Sequence, residues 1–439
     1  MDTTMTLEIK ADWQALPSAP LEERVAYGAI GIRFNDLWLT EAEDEFVKQI
    51  RQQVYLSGYR LAEWLAWNWW RLRWEPRRKS FDWSMAHRLS TIGGGYVWPN
   101  ITIVSDGERV LLNAEPTAAH PSEPIRYICK FAAIVRASDF ERAVDSFVDE
   151  VANRLREVRV ADTNLQLIWA DVLADRSTSE RTKRKKLEAL LGYDTDESDK
   201  AEIDRLISEA QELGEPAVDE LAADRTGDAK LATSAEIKDM AKRAGYDSNP
   251  RDAARLEDKS IRALPVDVAA WKRGVSAAAA LRQQEGLGAD PVSNQKLCQI
   301  AGVSNQALSR GGKSAELSFT LDESSTKGAV VLRSKFETGR RFTLARLTGD
   351  RVATLGDGQL RPATRTYTYR QKLQRAFAGE FLCPFNTMAD MLQGDFSAEA
   401  IEDVANHFNV SDRTVRTLLV NHKLIDRDEL IGDFDLAAA

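Results

Sequence analysis

The sequence predicts an α+β protein, mostly helical. It divides into an N-terminal α/β domain over residues 1–158, a charged helical middle region over 159–265 and a helical C-terminal domain over 266–439. Three observations predict this. Apolar residues recur at helical spacing through most of the chain. Short β-rich runs flank turn residues at "ITIVSDGERVLLNAEP" and "AELSFTLDESSTKGAVVLRS". Between the two β-containing parts, "SERTKRKKLEALLGYD" and "KAEIDRLISEAQELGEPAVDELAAD" are charged helical patterns separated by linker-like "DTDESD" and followed by "DRTGDAK".

In the N-terminal part, "TEAEDEFVKQIRQQVYLSGYRLAEWLAWNWWRLRWEP" reads as one helical stretch, with Thr40 as N-cap, Asp44 and Glu45 in its first turns and Pro76 ending it. Its tryptophans (Trp64, Trp67, Trp69, Trp70 and Trp74) are followed by Trp83 and Trp98. Asp106-Gly107 marks a hairpin turn. "STIGGGYVWP" lacks the Lys-Ser/Thr of a phosphate loop and reads as a turn before a strand. "SDFERAVDSFVDEVANRLREV" is amphipathic, with Phe140, Val144, Phe147, Val148, Val151 and Leu155 on one face.

In the middle region, Gly214 followed by Pro216 closes one helix. In the last part, "DVAAWKRGVSAAAALRQQEGLG" is an Ala-rich helix stopped by glycines. "SNQKLCQIAGVSNQALSR" is helix, Gly turn and helix, read as scaffold. "RRFTLARLTGD" begins a further helix, and "TYRQKLQRAFAGEFLCPFNTMADML" reads as one long helix with Pro384 near its end. "AIEDVANHFNVSDRTVRTLL" has helix-turn-helix spacing, with Ile401, Val404, Phe408, Val410, Val415 and Leu418 as its core and Ser411 capping the second helix.

Composition bounds the function. The chain has 439 residues, 43% apolar and 29% charged, and so can bury real cores rather than stay disordered. No run of eighteen apolar residues occurs, so no membrane partner is expected. "MDTTMTLEIKADW" has no basic segment before an apolar one, and no secretory signal is expected. Cys129, Cys298 and Cys383 are odd in number and far apart, which suits a reducing, cytoplasmic location. A net charge of −9 argues against broad coating of DNA but allows local basic patches. The histidines, at 87, 120, 407 and 422, never fall within a turn of each other or beside a cysteine. They form no local metal signature, and no cofactor is expected.

From about 270 to 430, the order "AAALRQQEGL", "GAVVLRS", "RRFTLARLTGD", "QRAFAGEFLCP" and "IEDVANHFNVSDRTVRTLL" resembles the ImmA/IrrE family of zinc metallopeptidases. The resemblance implies a zincin-like helical domain with a small sheet. In that family the helix after "FTLA" carries His-Glu-x-x-His, and a later helix carries an acid before the Phe-Ala pair, kept here as Phe377-Ala378. The matching positions are Arg346, Leu347, Asp350 and Gln371. A guanidinium has no lone pair for zinc, Leu347 carries no proton, and one carboxylate does not make a site. The resemblance therefore implies a pseudo-peptidase with neither catalytic residues nor metal. Arg346 and Asp350, four apart on a helix, are placed to pair with each other. Arg346 is also a candidate for holding a peptide end or a small anion.

Two further groups are candidates. Arg413, Thr414, Arg416 and Thr417 would face outward from the second terminal helix and are candidate contacts to DNA. Trp69, Trp70, Arg71, Arg73, Trp74, Arg77 and Arg78 interleave rings with guanidiniums, a pattern of protein interfaces and single-stranded nucleic-acid grooves as well as of aromatic cores. The expectation is a regulatory or sensing protein that binds a partner protein. The family resemblance implies stress response, toxin–antitoxin or phage-related control. A DNA-binding regulator is the alternative, and an enzyme with its site in the N-terminal half the second. No acid–base pair or nucleophile stands out in that half.

Overall fold

A computed structural model describes residues 6–16, 18–118, 123–227, 229–309, 315–354 and 358–426, so His120 lies outside the described residues. The protein is α+β and mostly helical, with half of its residues in helices, 16% in strands and several small antiparallel sheets. It separates into two compact units, 1–207 and 208–439. The boundary falls inside the helix Lys200–Leu213, so the middle region is divided between the units. Among the described residues no helix is long and apolar enough to cross a membrane.

In the first unit, strands Leu7–Gln14 and Tyr27–Phe34 pair antiparallel, Leu7 opposite Phe34 and Gln14 opposite Tyr27. Strand Val54–Ser57 adds to Tyr27–Phe34. A second sheet joins Ile101–Ser105, Arg109–Ala114 and Phe131–Arg136. Its hairpin turns at Asp106-Gly107, where Gly107 adopts φ +98° and Asp106 Oδ1 accepts from the Glu108 and Arg109 amides. Helix Ala137–Glu157 buries the whole apolar face expected of it.

The single helix expected from Thr40 to Pro76 is corrected. Residues 42–44, 49–51 and 54–57 are strands, and the helix starts only at Gly58. Val54 and Leu56 are buried while Tyr55 between them is exposed, which is a period of two. Asp44 turns the chain by accepting from the Phe46 and Val47 amides. The Thr40 hydroxyl links strands instead of capping a helix: it accepts from Ile32 N and donates to Gln52 O. Ser57 is the cap, accepting from Arg60 N. Asn68 then divides the helix into Gly58–Trp67 and Trp69–Trp74.

The Trp/Arg segment is core and not an exposed contact stripe. Trp69, Trp70 and Arg71 are buried, and of the seven candidates only Arg77 is exposed. The large rings remove more apolar surface from water inside than they could against an optional partner. Their arginines are engaged locally: Arg73 pairs with Glu141 and lies 3.8 Å from the Trp74 ring centroid, and Arg78 donates to Leu190 O. Arg71 bridges Glu75 and Asp194.

In the second unit a four-stranded antiparallel sheet runs in the order Tyr246–Ser248, Gly328–Val331, Ser318–Asp322, Leu360–Ala363. Only the middle pair was expected. Helix Glu337–Ala353 packs against the sheet, and helices Ala270–Gln284 and Tyr369–Leu382 pack against that helix and against each other. Glycines set their approach: a Cβ on Gly274 would lie 2.6 Å from Leu373 O, and one on Gly349 2.4 Å from the Phe377 ring. The expected helix through Leu392 is two helices, Tyr369–Leu382 and Phe385–Leu392, because Pro384 cannot continue the first and starts the second. "LCQIAGV" forms the helix Asn294–Ala301, ending at left-handed Gly302, and only a short 3₁₀ turn follows.

The terminal helices are Ala398–Phe408 and Asp412–Asn421. Left-handed Asn409 turns the chain between them, and Ser411 accepts from Thr414 N. All six expected core residues are buried. Arg341, 1% exposed, fastens this pair to the rest of the unit. Its guanidinium donates to the carbonyls of Asn409, Phe408 and Val292, which places a cation at the carboxyl end of Ala398–Phe408.

Candidate functional site

Helix Glu337–Ala353 carries three of the four positions singled out in the sequence, and helix Tyr369–Leu382 carries Gln371. The structure brings Gln371 to Arg346, in an environment the sequence did not reveal. Leu347 is 1% exposed and part of the apolar core. Asp350 is fully buried, but Arg346 is not its ion-pair partner. Its two oxygens accept from Arg370, Nε to Oδ1 at 2.7 Å and Nη2 to Oδ2 at 2.5 Å. This corrects the expected pairing along the helix. The fork of Arg370 reaches across from the neighbouring helix and satisfies both oxygens at once, a geometry that an i,i+4 neighbour in water cannot better.

Arg346 turns the other way. Its Nη2 donates to Thr364 O at 2.7 Å, to Gln371 Oε1 at 2.5 Å and to Gln374 Oε1 at 3.3 Å. All three are neutral acceptors. Its Nε is buried and has no hydrogen-bond partner. Burial, helped by the nearby Arg375 cation, pushes Arg346 down to about 9. Gln371 also accepts from Thr364 N and donates to Pro362 O, and Gln374 donates to the same carbonyl.

A second carboxyl enters from helix Glu215–Ala223. Glu220, 5% exposed, accepts from the Thr368 hydroxyl at 2.8 and 2.9 Å and from Thr366 at 3.4 Å. Burial pushes it up to about 7, against the pull of Arg370 and its hydrogen bonds. Asp224, after the same helix, accepts from Arg365 N at 3.0 Å and is also raised by burial. Asp322 holds Arg351 and Arg361 at the sheet side.

Sequence reading missed Glu220, Asp224, Arg370, Gln374 and Arg375. The alternating Thr364, Thr366 and Thr368 were the one local signal. Glu220 lies 130 positions before Asp350 in the chain, and nothing near it marks a site.

The cluster offers a buried acid that titrates near neutrality and a concentration of guanidiniums. Among the described residues it holds no imidazole, and the hydroxyls beside the Glu220 carboxyl are those of Thr366 and Thr368. His407 is on the first terminal helix and His422 follows the second, against Phe408 and Phe385 respectively. The three cysteines are free and buried. Among the described residues no group of three or more His, Cys, Asp or Glu is placed to hold a metal ion.

On the second terminal helix, Arg413 is exposed, and Thr414, Arg416 and Thr417 are half-buried. Thr417 donates to Arg413 O, and Thr414 shares a hydrogen bond with the Ser411 hydroxyl. The two threonine side chains are thus engaged locally.

Compared with protein-family models, curated proteins and solved structures, the chain matches none.

Proposed function

We propose that this chain is a non-catalytic regulatory protein. It binds a partner protein through an ImmA/IrrE-like domain whose hydrolytic residues have been replaced. The observation that supports this is how the replaced positions are used. Leu347 belongs to the apolar core, Asp350 is held by two nitrogens of Arg370, and Arg346 is hydrogen-bonded to Gln371 and Thr364. A peptidase needs an open metal position and a base beside it. Here the side chains at those positions are taken up by one another, by Arg370 or by the core, and the same helix anchors the terminal helix pair through Arg341. A scaffold so filled supports recognition better than hydrolysis. Control of a stress, toxin–antitoxin or phage-related process belongs to the same proposal.

The test uses the full-length tagged chain, retrieved from its own host with and without nuclease. A protein partner at defined stoichiometry that survives nuclease is expected. Stoichiometric zinc with peptide hydrolysis in the purified protein would overturn the proposal. A second function, DNA binding, is favoured by Arg413 and Arg416 on a Ser-capped second helix. Retention of duplex DNA that is lost on Arg413→Glu with Arg416→Glu would establish it, and retention unchanged by that pair would remove it.

A further inference from the structure

Four arginines of the second unit surround the Asp224 carboxylate, two of them also under the influence of Glu220, and none forms an ion pair with either. Arg333, Arg346 and Arg365 each act on the Asp224 carboxyl, and Asp224 acts in turn on Arg375. Hydrogen bonds fasten the Arg346 and Arg375 guanidiniums and the Arg365 backbone to one short run of chain and to Asp224. Arg365 donates its backbone amide to Asp224, Arg346 grips the carbonyl of Thr364, and Arg375 grips that of Thr366 at 2.6 Å while lying 5.3 Å from the Tyr367 ring centroid. Among the described residues no carboxylate lies within ion-pair distance of any of the four, and the side chains of Arg333 and Arg365 have no hydrogen-bond partner. Both of those side chains belong to exposed residues, as does Tyr367. Arg346 Nε is an orphaned donor inside the same group.

Like charges crowded in this way are costly unless something neutralises them. Asp350 cannot, because Arg370 holds it. Glu220 is turned to Thr366 and Thr368. Four cations against Asp224 and Glu220, which also acts on Arg346 and Arg375, leave an excess of two in a chain whose net charge is −9. Guanidiniums match oxyanions through paired, planar N–H groups, and a dianion offsets more of the excess than a monocarboxylate.

We propose that Arg333, Arg346, Arg365 and Arg375 form a binding site for a doubly charged tetrahedral oxyanion, the chemistry shared by inorganic phosphate and the phosphoryl group of a larger ligand. The exposed arginines admit the anion, Tyr367 borders it, and Arg346 supplies the inner donor. This site does not rest on the pseudo-peptidase proposal and is read by a different assay.

The experiment is a titration of the full-length protein at pH 8, where phosphate is mostly dianionic. Melting temperature and heat of binding are followed against chloride at matched ionic strength. One arm uses inorganic phosphate and the other a nucleoside 5′-monophosphate. A saturable rise with either is expected. Tighter binding of the nucleotide assigns the phosphoryl group to a larger ligand, and equal binding assigns the site to free phosphate. Arg333→Ala with Arg365→Ala removes two side chains that hold nothing else, so the fold is retained, and binding is expected to weaken about tenfold or more. Arg346→Gln should weaken it as well. A response no greater than that to chloride, or binding unchanged in the Arg333/Arg365 double variant, would overturn the site.

Discussion

Arg370 holds both carboxylate oxygens of the fully buried Asp350, at 2.7 and 2.5 Å, and so ties helix Tyr369–Leu382 to helix Glu337–Ala353. Removing one partner strands a charge where water does not reach. Arg370→Met is expected to cost about 3–5 kcal/mol in the unfolding of the second unit. Replacing both, by Asp350→Leu with Arg370→Met, should recover most of that loss, since apolar pairs of similar volume are often as stable. Urea unfolding, combined with hydrogen exchange of helix Glu337–Ala353, reads both. A single-variant loss below about 1 kcal/mol would mean that the pair behaves as an exposed one.

Glu220 carries the opposite lesson. Burial raises it from 4.5 to about 7, so the folded unit prefers this carboxyl protonated. Between those values the folded state holds a proton that the unfolded chain has released, and stability falls as pH rises through the window. Above about pH 7 the full loss is present. Glu220→Gln, which mimics the neutral acid, should therefore stabilise the second unit at pH 8 by up to about 3 kcal/mol. It should also flatten the dependence between pH 4.5 and 7. Melting curves across that range test it, and a slope unchanged by the substitution would show that Glu220 is not the titrating group.

Glu75 is the counterpart in the first unit. Burial alone would raise it, but hydrogen bonds and charge from His87 and Arg71 more than offset this and hold it below 4.5. His87 is fully buried, with Nε2 3.0 Å from Glu75 Oε2 and Nδ1 2.8 Å from Ile103 O, and its ring stacks on Trp83 with centroids 4.2 Å apart. A depressed carboxylate contributes stability above its unfolded value, and that contribution is lost as pH falls through the folded value. Glu75→Gln should cost on the order of 3 kcal/mol at pH 7 and reduce the acid sensitivity of the first unit below about pH 4.5. Circular dichroism melts at pH 7 and pH 4 separate the two effects.

The particular elements show how far sequence reaches. The helix Ala137–Glu157, the Asp106-Gly107 hairpin and the terminal helix pair were legible because each writes its own period, turn residue or cap into neighbouring positions. The stretch from Thr40 to Ser57 was not. Its charged residues imitate a helix start, and only the strand Tyr27–Phe34, waiting for a partner, draws Val54–Ser57 into a sheet. Strands Tyr246–Ser248 and Leu360–Ala363 are too short to announce themselves and exist as edges of a hairpin formed elsewhere.

The sequence by itself determined the fold class and the hydrophobic faces, and it singled out Arg346, Leu347, Asp350 and Gln371. Local spacing and side-chain type suffice for such properties. The tertiary structure alone decided what those residues do: that Asp350 belongs to Arg370, that Arg346 rests on Gln371 and Thr364, and that Glu220 arrives to titrate near neutrality. Charge pairing and desolvation depend on distance and burial in space, and neither is a function of separation along the chain.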